Sequence, residues 1–144
     1  MSDTINDMQN RILDEFAMFS DWMDKYEYLI DLGRDLAPYD PKYKTDEHLI
    51  DGCQSKVWVH GFTENGKMKY TADSDAIITK GMISLLIRVF SNREPSEILN
   101  ADLFFIERIG LKENLSSTRS NGLAAMIRRM TDLARKQQND SENG

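Results

Sequence analysis

Chemically reactive side chains are scarce in this sequence, and its one cysteine is the strongest nucleophile among them. Cys53 follows Gly52 and precedes Gln54 and Ser55, at the predicted start of a β-strand. Gly52 permits a tight turn that gives access to the sulfur. Because a free thiol has a pKa of about 8.5, useful reactivity at neutral pH requires a nearby cation or hydrogen bonds. The residue types therefore point to thiolate chemistry at Cys53.

The two histidines keep other kinds of site open. A cysteine-dependent hydrolase needs a histidine base beside the thiol, yet roughly 23 Å of extended chain separates Cys53 from His60. A metal site could combine His48, Cys53 and His60, but no CxxC or HxxxH pair supports it. A non-catalytic interaction module, in which Cys53 has no chemical role, is the third alternative.

The composition limits the remaining function classes. A single cysteine cannot form an intramolecular disulfide or a multi-cysteine metal site. The net charge is −6 and the acidic excess lies in the first 52 residues, so we expect no nucleic-acid partner. That acidic third is either a docking face for a basic partner or the solvated face of two helices. Seeing no signal peptide and no membrane-spanning apolar run, we expect a cytoplasmic protein without membrane contact.

Hydrophobic periodicity predicts two helices before any strand. Apolar residues at helical spacing indicate a helix over residues 4–18. A second helix begins after a cap at Ser20 or Asp21 and ends near Leu36. The polar, proline-containing residues 38–48 are typical of a loop.

The period then changes to two, which predicts a small antiparallel sheet. Alternation over Ser55–Phe62 and Lys67–Ala72 indicates two strands with one buried face. Asn65-Gly66 between them favours a type I′ hairpin. His48–Ile50 can add a short strand, so we expect about three strands in all.

Helical spacing returns after the sheet. A strongly apolar helix follows Asp75, with Asp73, Ser74 or Asp75 as its cap. Pro95 can open a short helix at its first position, and Leu103–Ile109 can form another.

The last predicted helix starts at a cap formed by Ser120 or Asn121, and residues 138–144 are predicted to be a disordered tail. The whole pattern predicts one α+β domain over residues 1–137, with the small antiparallel sheet flanked by helices.

Four segments, in order and at consistent spacing, resemble the SufE family of sulfur-acceptor proteins. The resemblance extends from about residue 8 to residue 133. Its segments are DWMDKYEYLIDLG at 21–33, GCQSKVW at 52–58, ADSDAIITKG at 72–81 and SSTRSNGLAAM at 116–126.

The resemblance implies a fold similar to U-type iron–sulfur scaffold proteins and a function in sulfur transfer. It implies that Cys53 accepts a persulfide sulfur from a PLP-dependent cysteine desulfurase, SufS-like or a paralogue, and stimulates that enzyme. The sulfur would pass to an iron–sulfur scaffold complex of the SufBCD type. The family carries no cofactor and turns over no substrate alone. Whether the chain forms a homodimer stays open.

Around the cysteine we expect supporting roles for Gly52, Gln54, Ser55, Asp75 and Arg119. Arg119, at the start of the last helix, either faces the cysteine loop and the partner or pairs with an aspartate to pin its own loop. We also expect the thiol to be largely covered in the free protein, on a loop hinged near Gly52, because an exposed persulfide is easily lost.

Two positions depart from the family pattern. Ser117 stands where relatives often have proline, which puts the rigidity of that loop in question. Asp51 stands where many relatives carry a neutral or basic residue, and its charge would disfavour ionisation of Cys53.

Overall fold

A hairpin of two antiparallel strands lies in the middle of the chain in this computed structural model, which describes residues 4–143. Strand β1 (Val57–Glu64) pairs with β2 (Lys67–Ser74) along its whole length. Asn65 and Gly66 join them with positive φ angles of 55° and 79°, as a type I′ turn requires. Helices precede and follow the hairpin, so the predicted α+β class is confirmed.

The predicted third strand at residues 48–50 does not form. Leu49 makes a single bridge with Trp58. A 3₁₀ turn precedes this bridge, and the chain reverses soon after it at Gly52, where φ is 93°. Turns on both sides leave no room for a longer ladder, so the sheet in the described part of the chain has two strands rather than about three.

Two helices precede the sheet, as predicted. They are α1 (Ile5–Phe16) and α2 (Trp22–Arg34). Asp21, one of the two predicted caps of α2, accepts the backbone N–H of Asp24 at 2.9 Å. The loop after α2 contains a 3₁₀ turn at Pro41–Tyr43 and a second one directly before the Leu49 bridge.

Helix α3 (Ile77–Phe90) is the centre of the core and packs against both α2 and β2. Its contact with α2 is a close backbone approach, because a Cβ on Gly81 would lie 2.2 Å from the carbonyl oxygen of Leu29. The apolar residues that predict this helix are all buried. They are Ile78, Met82, Leu85, Leu86, Val89 and Phe90.

The predicted caps of α3 have other roles. Ala76 is the N-cap residue, and no side chain caps the first turn. The hydroxyl of Ser74 accepts the N–H of Ala76 at 3.2 Å, and the carboxylate of Asp75 accepts the N–H of Lys56 at 3.0 Å. These polar groups therefore fasten the loop between β2 and α3 to the residue before β1.

Short helices follow α3. They are α4 (Pro95–Leu99), α5 (Phe105–Arg108) and α6 (Leu111–Asn114). Pro95 opens α4 at its first turn, as predicted. Gly110 separates α5 from α6 with a φ of 91°. Helix α6 is not predicted from the sequence, because four residues are too few to show a helical period.

Helix α7 (Ser117–Asn143) begins before the predicted caps, Ser120 and Asn121, which lie inside its first turns. The side chain of Ser116 accepts the N–H of Arg119 at 3.3 Å and takes the capping role instead. The start of this helix therefore depends on a serine one turn earlier than the sequence indicates.

At its other end, α7 continues through residues 138–143, for which the sequence predicts a disordered tail; Gly144 lies outside the described residues. The side chains of Gln137 and Gln138 are half-buried there, and α7 packs against α4. Between residues 4 and 143, no helix is both long and apolar enough to cross a membrane.

Candidate functional site

Cys53 opens into a pocket of about 280 Å³ formed where three parts of the chain meet. The loop before β1 contributes Cys53, Gln54 and Ser55. The first turns of α3 and of α7 form the other walls, with Arg119 on the α7 side. The thiol is half-buried. The structure thus brings four of the predicted site residues together around one cavity.

Helix α7 holds the cysteine loop in place. The thiol of Cys53 donates to the carbonyl oxygen of Gly122 at 3.6 Å. Arg129, two turns further along the helix, donates to the carbonyls of Glu47 and Leu49 at 2.6 and 3.3 Å. At Gly52 the loop passes near the helix, and a Cβ on this residue would lie 3.4 Å from Cβ of Ala125. That contact is tolerable, so the positive φ of Gly52 is the stronger reason for glycine here.

Asp75 fastens the other side of the loop and does not line the pocket. Its carboxylate and its backbone N–H both bond to the backbone of Lys56, at 3.0 and 3.2 Å. Ser74 adds a hydrogen bond from its hydroxyl to the carbonyl of Lys56 at 2.8 Å. The contacts of Asp75, a predicted supporting residue, are therefore with the backbone that positions the loop.

Burial raises the pKa of the Cys53 thiol, and no neighbouring charge offsets this effect. The exposed carboxylate of Asp51, which we expected to disfavour ionisation, is not among the causes. At neutral pH the thiol is therefore protonated, and its proton is directed at the carbonyl of Gly122. This is the state of a protected thiol rather than an activated one.

The side chain of Arg119 is exposed, and its guanidinium makes no hydrogen bond or ion pair with any residue from 4 to 143. The aspartates that might have paired with it are engaged elsewhere. Asp73 forms ion pairs with Lys44 at 2.9 Å and Lys80 at 3.6 Å, and Asp75 bonds to Lys56. The guanidinium is therefore available to an anion that enters the pocket.

The two histidines lie together, away from the pocket lining. His60 stacks on Tyr43 with ring centroids 3.6 Å apart, and His48 packs edge-on against His60 at 5.3 Å. Burial, with the nearby His48 and Lys42, lowers the pKa of His60. Cys53 has no imidazole in its pocket, and the described residues contain no cluster of three or more potential metal ligands.

Sequence reasoning did not identify the pocket walls. Thr79 and Met82 line the pocket from α3, and Gly122 and Met126 line it from α7. Thr79, Gly122 and Met126 lie in segments that carry the family resemblance, which was the one available signal, whereas Met82 directly follows such a segment. Their approach to Cys53 depends on how two helices pack, and no local pattern encodes that.

A comparison with protein families decides the affiliation. The family model described as "SufE: Fe-S metabolism associated domain" matches residues 10–134, which is most of the chain. The chain belongs to the SufE family. The resemblance in four sequence segments is thereby confirmed, and membership in this family supports a role in iron–sulfur metabolism.

Relatives within the SufE family cover nearly the whole chain. An uncharacterized SufE-like protein of Rhizobium etli is 40% identical over 131 residues, which are 88% of this chain and 88% of that protein. One from Rhizobium meliloti is 38% identical over 130 residues, 87% of this chain and 93% of that protein. SufE-like protein 1, chloroplastic/mitochondrial, of Arabidopsis thaliana is 40% identical over 125 residues, 83% of this chain but 34% of that protein.

A solved structure supports the fold independently. The solution structure of a hypothetical protein from Thermus thermophilus superposes with a TM-score of 0.74 and covers 90% of this chain and 94% of that one. The two sequences are 22% identical, so the likeness concerns the fold alone.

Proposed function

We propose that this SufE-family protein is a sulfur carrier that takes a persulfide sulfur from a PLP-dependent cysteine desulfurase onto Cys53. It then passes the sulfur to an iron–sulfur scaffold complex. The observation that carries the proposal is a solitary, half-buried thiol in a pocket that contains no imidazole but does contain a guanidinium, which has no partner among residues 4–143. Such a site suits exchange with another protein's sulfur better than hydrolysis.

The transfer is a displacement at sulfur. The thiolate of Cys53 attacks the outer sulfur of the donor persulfide, a new S–S bond forms on Cys53, and the donor's S–S bond breaks. The donor cysteine leaves as a thiolate, so no external oxidant or reductant is needed. The thiol of Cys53 must lose its proton to solvent before the attack, and the donor thiolate that leaves afterwards can take up a proton in its place, so the protons balance. No general base fixed by a triad is required.

The positive charges around the pocket favour the persulfide anion, the product of the transfer, more than the protonated thiol. Helices α3 and α7 both begin at the pocket, so the positive ends of two helix dipoles lie near its walls. With Arg119 they favour a persulfide anion inside the cavity. The walls also cover the outer sulfur, which slows its loss to oxidants and small thiols.

The alternatives account for less of the site. A hydrolase through Cys53 would need a base, and both imidazoles pack with Tyr43 instead: His60 stacks on its ring, and His48 lies against Tyr43 and edge-on to His60. A pure interaction module would not explain why the thiol lies in a pocket, and it would tolerate Cys53→Ala.

Intact-mass analysis tests the proposal. After incubation with a cysteine desulfurase, its cofactor and free cysteine, the protein should gain the mass of one sulfur, and a reductant should remove it. Desulfurase turnover should rise, because a docked thiol has a far higher effective concentration than a free one.

Cys53→Ser is the matched control. It should still dock but gain no mass and give no stimulation, because a hydroxyl without a base is a poor nucleophile. Normal stimulation by the serine variant would show that the protein is an allosteric activator and not a carrier.

A further inference from the structure

Thr79 is a buried polar residue in the wall of the Cys53 pocket. It lies in the first turn of α3, is 6% exposed and lines the pocket. Its hydroxyl has no hydrogen-bond partner among residues 4–143. Buried hydroxyls are nearly always satisfied, so an unpaired one calls for a ligand or a solvent contact.

The usual partner of a helical threonine is absent here. Such a hydroxyl commonly bonds back to the carbonyl four residues earlier, which for Thr79 belongs to Asp75, and no such bond is present. Every fully enclosed side-chain nitrogen or oxygen in the described chain has a partner, so the hydroxyl of Thr79 keeps some access. Because Thr79 lines the pocket and is otherwise buried, that access is into the pocket.

The resting thiol does not satisfy this hydroxyl either. The Cys53 sulfur bonds to Gly122 on α7, and no hydrogen bond joins it to Thr79 on α3. An added sulfur would extend the side chain by an S–S bond of about 2.05 Å into the same cavity. The negative charge of a persulfide is carried on this outer atom, so it is a stronger acceptor than a neutral thiol.

We propose that the hydroxyl of Thr79 donates a hydrogen bond to the outer sulfur of the Cys53 persulfide and so positions and stabilises its anion. The inference rests on the proposed function and assigns a residue to the loaded state of the same site. No bond forms or breaks in this step; the hydroxyl keeps its proton and solvates the anion in place of water. Thr79 is then a binding group for the transferred sulfur, with no role toward the free thiol.

The test compares the loaded and unloaded protein in wild type and Thr79→Val. Inorganic polysulfide loads Cys53 without a desulfurase, and intact mass selects the form with one extra sulfur. Alkylation by iodoacetamide is then followed against pH. Loss of one hydrogen bond should raise the pH midpoint of persulfide ionisation by about 0.7 units. At pH values below this midpoint, the ionised fraction of the persulfide should then fall roughly fivefold. The alkylation profile of the unloaded thiol should not change.

Thr79→Ser, which keeps the hydroxyl, should match wild type in both states, and Thr79→Ala should behave like valine. An unchanged persulfide midpoint in the valine variant would overturn the inference. Equal shifts for thiol and persulfide would overturn it as well, because they would indicate a general change of the pocket. Neither result concerns sulfur transfer from a desulfurase. A wild-type protein that is loaded by polysulfide but never by a desulfurase would refute the proposed function and leave the role of Thr79 intact.

Discussion

Cys53 and Arg119 share a pocket without interacting in the free protein. Burial alone raises the pKa of the thiol, and the guanidinium does not oppose the effect. A protonated thiol is a slow nucleophile, so Cys53 has low reactivity in the free protein. We therefore expect Arg119 to act once negative charge enters the pocket, either on the outer sulfur or on the docked partner.

Arg119→Ala should reduce stimulation of the desulfurase by about threefold or more, as expected for a lost charge-assisted contact. The melting temperature should stay within about a degree or two, because the side chain is exposed and forms no hydrogen bond or ion pair within the described part of the chain. Desulfurase turnover and thermal unfolding, measured on the same preparations, check this.

Arg128→Ala is the matched control, since Arg128 is an exposed arginine of the same helix that does not line the pocket. It should leave stimulation unchanged. Equal losses in both variants would point to net charge instead of the site, and a fall of melting temperature in step with activity for Arg119→Ala would show a structural role.

Among the elements, α3 connects the core to the pocket. Its apolar length packs against α2 and β2, and its first turn carries Ile78 and Thr79 into the pocket wall. The close approach of Gly81 to the backbone of Leu29 fixes how deeply α3 sits against α2. The position of that wall therefore depends on a glycine that touches no sulfur.

Gly81→Ala should destabilise the fold by about 2 kcal/mol, because the new methyl group would meet the carbonyl of Leu29 at 2.2 Å. In an exposed helix the same change would stabilise by about 1 kcal/mol, so the sign of the effect identifies the packing constraint. Urea unfolding measures the free energy of unfolding directly.

Ser84→Ala, on the same helix, is the control and should change stability little, because the Ser84 hydroxyl forms no hydrogen bond with the residues that the structure describes. A more stable Gly81→Ala protein would mean that α2 and α3 can separate without cost, contrary to the close packing described above.

At the scale of the whole molecule, the half-buried thiol must become accessible to the persulfide of a donor protein. The loop that carries Cys53 is held by α7 on one side and by Asp75 on the other. A donor persulfide must reach the sulfur through these contacts. Docking of the desulfurase should therefore loosen the loop and break the bond between Cys53 and Gly122.

Alkylation of Cys53 by iodoacetamide should accelerate several-fold when the desulfurase is added, because the displaced thiol loses the burial that raises its pKa. The desulfurase should carry an inactivated nucleophile, so that no sulfur is transferred during the assay. A desulfurase that the protein does not stimulate serves as the control. An unchanged or slower reaction with the stimulated enzyme would contradict loop release on docking.

Local sequence features determined most of the secondary structure and the central residue of the site. Helical and strand periods located α1, α2, α3 and the hairpin, because side-chain spacing reflects which face is buried. Asn65-Gly66 specified its turn through backbone preference alone. Cys53 stood out because no other side chain offers comparable nucleophilicity.

The tertiary structure decided what surrounds that cysteine. Thr79, Arg119 and Gly122 share a pocket with Cys53 only because α3 and α7 pack beside its loop, and such long-range packing leaves no periodic signal. The same reason explains two wrong predictions: the segment before Gly52 lacks space for a third strand, and Asp75 bonds to Lys56 instead of capping α3. The nucleophile could be identified from residue type alone, whereas its pocket depends on the packing of helices that are distant in sequence.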